Sequence, residues 1–250
     1  MAIRQREVSV ANGSITVISF GGSLMAPGPR PKDPSWIDQG TLVDLTQLLK
    51  DLCDNHNRRF VITVGGGKIN SHYVEALRKM SGKTPIDDRL IDMLGISATR
   101  LNATLLWALL YQAGLAYKEV VDNPTLRLVI YKPIIVGCGW LPGCSTNKNA
   151  VLWAINRSAK VVINASNISH VYDQDPREHD DAKIITQISW PNFRKIIGSQ
   201  WTPRMNTPFD PVAAKLAEQN KIRVLVLDGR DMDNLRNAIE GKDFIGTTIG

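Results

Sequence analysis

Apolar, largely β-branched runs alternate with helical patterns along most of the chain. Residues 14–20 (SITVISF) form a short apolar run that stops at Gly21-Gly22, and residues 59–64 (RFVITV) form one that stops at Gly65-Gly66-Gly67. Both predict strands ending in glycine turns. Between them Leu42, Leu45, Leu48, Leu49 and Leu52 recur at helical spacing, which completes a strand, helix, strand unit. Tyr73, Leu77 and Met80 predict a second helix. Residues 90–110 predict a long apolar one through Leu94, Leu101, Leu105 and Leu109, and 126–136 a strand ending in Gly137-Cys138-Gly139. A helix over 145–159, opened by a Ser-Thr cap, and a strand over 160–164 (KVVIN) follow. Further on, 191–198 and 211–220 predict helices, 222–227 (IRVLVL) a strand, Leu235 and Ile239 a helix, and 247–249 a last short strand. This order places the chain in the α/β class, with a mostly parallel sheet covered on both faces. The proline-rich stretch 26–34 (APGPRPKDP) predicts a surface loop. No Pro/Ser/Gly linker divides the chain, so 1–250 is expected to be a single domain with one continuous sheet and two lobes that meet near residue 160.

Composition narrows the class without choosing a function. With 250 residues, 43% hydrophobic and 22% charged, the chain can bury a full core, which excludes a disordered tail protein. Its three cysteines, Cys53, Cys138 and Cys144, form neither a disulfide framework nor a C-x-x-C metal pattern. No apolar run approaches the roughly 18 residues of a membrane span. The start, MAIRQREVSV, lacks the apolar core of a secretion signal, so a cytoplasmic protein is expected. The net charge of +6 is dispersed among acidic residues. That fits a small anionic partner, and a solvated basic surface more readily than a nucleic-acid face.

The candidate chemistry sits in the glycine turns. Glycine lets backbone N–H groups approach a phosphate closely, and a helix N-terminus adds positive potential. Any one of Gly21-Gly22-Ser23, Gly65-Gly66-Gly67 and Gly137-Cys138-Gly139 is as readily a tight strand-to-helix turn. Three of them at strand C-termini converge where α/β sheets bind ligands. Neither a G-x-G-x-x-G fingerprint nor a P-loop is present.

At this point the segments GGS, VGGG, DMLGISATRLNA, GWLPGCST, NASNISHVYDQDP and NTPFDPVAAKLA, in that order, resemble the amino-acid-kinase family, and within it the archaeal type of UMP kinase. The resemblance implies a three-layer α/β/α sandwich in which ATP and a nucleoside monophosphate meet over the strand C-termini, with Mg²⁺ as the accompanying ion. It implies an acceptor lobe over about 1–160, with Gly65, Gly66, Gly67 and His72 at the acceptor phosphate, Asp92 on the ribose hydroxyls, and Ser145 and Thr146 nearby. It implies an ATP lobe over about 161–250, with Gly21, Gly22 and Ser23 joined by Tyr172, Asp175, Asn206, Phe209 and Asp210. Taken alone, Asp92 is as readily a solvated aspartate, Ser145 and Thr146 a helix cap, and Tyr172 a core aromatic.

The sequence departs from that family pattern where the chemistry is concentrated. The resemblance implies a lysine two residues before the first glycine pair, and Ser19 stands there. It implies a lysine-orienting aspartate where Ser169 stands, a glycine at His170, phosphate-binding arginines at Ser71 and His72, and often an aspartate at Asn147. Lys68, Arg89, Arg204 or Lys148 could supply a replacement cation, Lys148 most directly, since it lies one turn into a helix.

Three readings follow: a kinase with a rebuilt site, a nucleotide-binding partner of an active paralogue, or an oxyanion-collecting oligomer resembling the molybdenum storage protein of the same family. In each, the expected ligand is a nucleotide or other small anion, and the chain is expected to assemble as a homo-oligomer, plausibly a hexamer, or with a paralogue. No resident metal site, nucleic acid or membrane partner is expected.

Overall fold

The structure, a computed structural model, describes residues 15–31, 33–198 and 207–250. In chain order the elements are β1 (Ile15–Phe20), α1 (Gly22–Met25), α2 (Gln39–His56), β2 (Arg59–Val64), α3 (Gly67–Ser81), α4 (Asp88–Gln112), β3 (Ile134–Gly137), α5 (Thr146–Asn156) and β4 (Val161–Ser166). Then come β5 (Val171–Tyr172), β6 (Ile184–Ile185), β7 (Gln187–Ile188), α6 (Trp190–Ile197), α7 (Pro211–Gln219), β8 (Arg223–Asp228), α8 (Met232–Glu240) and β9 (Thr247–Ile249). A seven-stranded sheet runs β3-β2-β1-β4-β8-β9-β7 through both halves of the chain, and β5 and β6 form a separate pair. The first five strands are mutually parallel, and β9 runs antiparallel to β8.

Strand alternation builds the layers. Ile18, Phe20, Ile62, Val64, Ile163 and Leu227 face one way, onto leucines of α2 and onto α4 and α8. Val17, Val61, Val162, Val224 and Val226 face the other, onto Trp153 of α5, Phe193 of α6 and the alanines of α7. Such near-continuous apolar strands are what a sheet buried on both faces requires. The result is the expected α/β/α sandwich.

Two sequence expectations need correction. The strand expected over 126–136 is confined to Ile134–Gly137. Pro133 offers no N–H to a ladder, and the carbonyls before it accept side-chain donors instead: Leu126 from Asn156, Leu128 from Arg157 and Ile130 from Arg59. Val129 and Tyr131 consequently project outward, 85% and 60% exposed. The helix expected after the triple glycine is present as α3, but Tyr73 and Met80 lie on its exposed side, and Val74 is its buried residue.

The expectation that no apolar run approaches a membrane span is also corrected: among the described residues one helix, α4, is long and apolar enough to cross a membrane by length and composition. Here its Ala103, Leu106 and Leu110 are built into the sandwich core.

Candidate active site

Register sets the geometry of the site. Phe20 of β1 lies beside Val64 of β2, so the two glycine turns leave the sheet side by side. A Cβ on Gly22 would fall 2.0 Å from the Gly67 nitrogen and 2.6 Å from the Gly65 carbonyl carbon. No side chain fits between these backbones. The Gly21 N–H donates to the Ala165 carbonyl at 2.8 Å, which ties the turn to β4. Asn102 Nδ2 donates to the Gly65 carbonyl, and the Gly139 N–H donates to Thr99 Oγ1, both at 2.8 Å. Helix α4 therefore holds the second and third turns in place.

Above the turns lies a cleft of about 240 Å³ whose lining includes Gly66, Asn70, Asp92, Ser145, Thr146 and Asp210. Asp92 accepts the Gly143 N–H at 2.7 Å. Ser145 caps α5 by accepting from the Lys148 N–H at 2.9 Å, and its hydroxyl donates to Asp210 Oδ2 at 2.5 Å. The other Asp210 oxygen accepts the Val212 and Ala213 N–H groups, capping α7. Asp210 thus joins the two halves of the chain, at 5% exposure. Asn70 Oδ1 and Thr207 Oγ1, both of cleft-lining residues, are shut off from solvent without a hydrogen-bond partner. Such groups are costly unless something else satisfies them. None of the described lining residues is Lys, Arg or His.

Comparison with known proteins gives this arrangement a lineage. Residues 14–228 match the amino acid kinase family. The chain belongs to the amino acid kinase family. It is 34% identical to the uridylate kinase of Methanospirillum hungatei over 236 residues, covering 93% of each chain. It is 32% identical to that of Sulfurisphaera tokodaii over 213 residues, 83% of this chain and 90% of the relative. The crystal structure of uridylate kinase from Archaeoglobus fulgidus superposes with a TM-score of 0.75 at 27% identity, over 95% of this chain and all of that one. The fold is also that of the UMP kinase from Bacillus anthracis, with a TM-score of 0.73 at 18% identity over 95% of this chain and 96% of that one.

As a member of the amino acid kinase family, the chain is most informative at its substituted positions. Ser19, 2% exposed, donates its hydroxyl to Asn147 Oδ1 at 2.8 Å. Two positions at which the family resemblance implies ionised residues are therefore neutral here and bonded to each other across 128 residues of sequence. Ser169 Oγ lies 3.1 Å from His170 Nδ1, and the His72 ring packs edge-on against Trp36 with centroids 5.1 Å apart.

The remaining candidates are dispersed. Ser23 is half-buried in α1 and does not line the cleft, and Lys148 is half-buried in the first turn of α5. Lys68 and Arg89 are exposed. Tyr172 is half-buried in β5. Asp175 is held by the Arg177 side chain, whose hydrogen bonds pull its carboxyl pKa down to about 2. Phe209 is fully buried, its ring 6.4 Å from that of Trp190, so its side chain belongs to the core. Asn206 and Arg204 lie outside the described residues.

Several polar groups that order the site escape single-residue reasoning. Asn149 is buried, donates to the Cys138 carbonyl at 3.0 Å, and lies 2.8 Å from the Cys144 thiol. Asn164 Nδ2 donates to the Pro208 carbonyl at 2.6 Å. Thr99 and Asn102 stand inside the quoted DMLGISATRLNA segment, and that is the signal that could have found them. Burial pushes the Cys144 thiol pKa up to about 11, which leaves it protonated at neutral pH.

Proposed function

We propose that the protein binds ATP and a nucleoside monophosphate, or a similar small anion, in the manner of a UMP kinase, and transfers the phosphoryl group slowly. The observation that carries this reading is the cleft in which Gly66 of the β2 turn meets Asp92, Ser145, Thr146 and Asp210, with the β1 turn packed against the β2 turn through Gly22. Asp92, facing that cleft, is suited to accept from two neighbouring ribose hydroxyls. ATP would supply the phosphoryl group from the side of Gly21, Gly22 and Ser23. Mg²⁺ takes most of its ligands from water and phosphate and needs one or two carboxylates. Asp210 fits that demand, because its Oδ2 carries a single hydrogen bond. Tyr172, Asp175, and Asn206 to Asp210 are assigned to the adenosine side, with Phe209 acting through its backbone.

Phosphoryl transfer rests on positioning and on charge stabilisation of the transferred group. One missing stabilising donor typically costs about 10²–10³-fold in rate, and the neutral Ser19–Asn147 pair removes at least one. That pair also favours a second reading, binding without turnover. No comparable observation favours oxyanion storage: among the described residues there is no group of three or more His, Cys, Asp or Glu able to hold a metal.

A cytoplasmic homo-oligomer, hexameric or paired with a paralogue, belongs to the same proposal. Leu90, Met93, Leu101, Leu105 and Tyr111 on the outer side of α4 are the exposed apolar positions it would cover. Calorimetric titration of ATP with Mg²⁺, and then of UMP, tests the binding claim. Saturable binding of each is expected, and the absence of binding by both overturns it.

A further inference from the structure

A cluster of six basic residues lies at the opposite end of the sheet from the glycine turns. A cavity of about 880 Å³ opens where β1, β2, β4 and β8 begin, between the C-terminal ends of α5 and α8. Its lining carries Arg58, Arg59, Arg157, Lys160, Arg223 and Lys242. Glu240 is the one carboxylate among the described lining residues, and it is already paired with Lys242 at 2.6 Å and faces Arg236 at 3.8 Å.

Helix C-termini attract cations, which accounts for a basic residue at each helix end but not for six around one cavity. The guanidinium of Arg157 makes the point most directly. It lies 5.5 Å from the Trp153 ring and spends Nη1 on the Leu128 carbonyl at 3.3 Å. Its Nε and Nη2 are shut off from solvent and have no hydrogen-bond partner. The neighbouring Arg59 donates to the Ile130 carbonyl, and no described carboxylate pairs with either. Burial first, and then the Arg59 charge, make the Arg157 cation less favourable. Two adjacent guanidinium groups bonded only to carbonyls, on the wall of a cavity that carries four further cations, leave charge that an anion can satisfy once the Arg157 fork turns toward the cavity.

We propose that this cavity is a second anion-binding site, distinct from the cleft above the glycine turns, that takes a compact polyphosphate group: the polyphosphate of a nucleotide, or a free inorganic chain. Arg157 and Arg59 form its floor, and the exposed Lys160 and Arg223 form its rim. The concave shape and a volume within the usual range for small-ligand pockets favour a small molecule over a nucleic-acid backbone, which needs an open surface. The site does not depend on whether the cleft transfers phosphate.

Calorimetry with sodium tripolyphosphate, at fixed ionic strength, tests it on the full-length protein. The Lys160→Ala/Arg223→Ala double variant changes two exposed side chains, and Arg157→Lys keeps the charge while removing the planar fork. Affinity is expected to fall by at least about tenfold in each, as loss of charge-assisted hydrogen bonds should produce. Melting curves on the same samples establish that the variants are folded.

ATP supplies the second arm. A second binding event for ATP, lost in the double variant, supports the site and identifies a nucleotide as its source; tripolyphosphate binding without that event supports it with free polyphosphate as the source. Equal tripolyphosphate affinity in wild type and folded variants overturns the proposal. So does tight binding of a short DNA duplex that tripolyphosphate fails to displace.

Discussion

The two ends of the parallel sheet are built on opposite principles. At the C-terminal end, Gly22, Gly65 and Gly67 bring backbones so close that no side chain fits, and the described cleft lining contains carboxylates and amides but no cation. At the N-terminal end the strands start among arginines and lysines around an open cavity. Parallel strands all begin at the same end, so basic residues that precede or open them, such as Arg58, Arg59, Lys160 and Arg223, gather in space although they are scattered in sequence. Six of the 30 basic residues therefore line one cavity, at the end of the sheet away from the glycine turns. The same sheet thus carries close-packed backbone at one end and side-chain charge at the other.

Glycine substitutions probe this contrast most strongly. Gly22→Ala must push apart two turns whose atoms would lie 2.0 Å from the new Cβ, and a loss of about 3 kcal/mol or more in urea-unfolding stability is expected. A loss below about 1 kcal/mol would show that the turns separate easily. Asp210→Ala comes next. It removes the α7 cap and the Ser145 contact between the halves, and about 1–2 kcal/mol is expected by the same measurement.

At the other end, Gly241 closes α8 at φ 75° with nothing within 4 Å of a new Cβ. Gly241→Ala is expected to cost only about 1 kcal/mol, from the left-handed backbone alone. If Gly22→Ala and Gly241→Ala prove equal, packing at the turns is not the distinguishing feature.

The smallest effect is chemical. The Cys144 thiol, beside the cleft, has its pKa raised by burial from 9.0 to about 11. A raised folded pKa means that the fold favours the protonated thiol. Its contribution is complete below about pH 9 and is lost as the pH rises through about 11. Peptide mapping after iodoacetamide should find Cys144 alkylated slowly at pH 8, with the rate climbing only above pH 10; a fast reaction at pH 8 contradicts that environment.

Much of the fold was legible because its signals are local. Apolar runs such as RFVITV stopped by glycine, and leucines at helical spacing, predict β2 and α2 without reference to the rest of the chain. The stretch 126–136 misled because Leu126 to Ile130 has strand composition while Pro133 denies it a ladder. Tyr73 and Met80 misled because α3 is covered on one narrow side only.

At the site, the substitutions at Ser19 and Asn147 could be read from the sequence, but their hydrogen bond could not, since it joins the end of β1 to the start of α5. The isolated donors of Arg157 were equally out of reach. They exist only where a helix end, a strand start and the carbonyls of an irregular segment come together.

The central claim is that the chain keeps the nucleotide cradle of its family and has neutralised the charge that speeds transfer. The direct measurement is the initial rate of ADP formation from ATP, Mg²⁺ and UMP at saturation. Wild type is compared with Ser19→Lys and with Ser19→Lys/Asn147→Asp, folding being checked by melting curves. The account predicts a slow wild type and a gain of about 10²–10³-fold in the double variant. Wild-type turnover equal to that of both folded variants would contradict it.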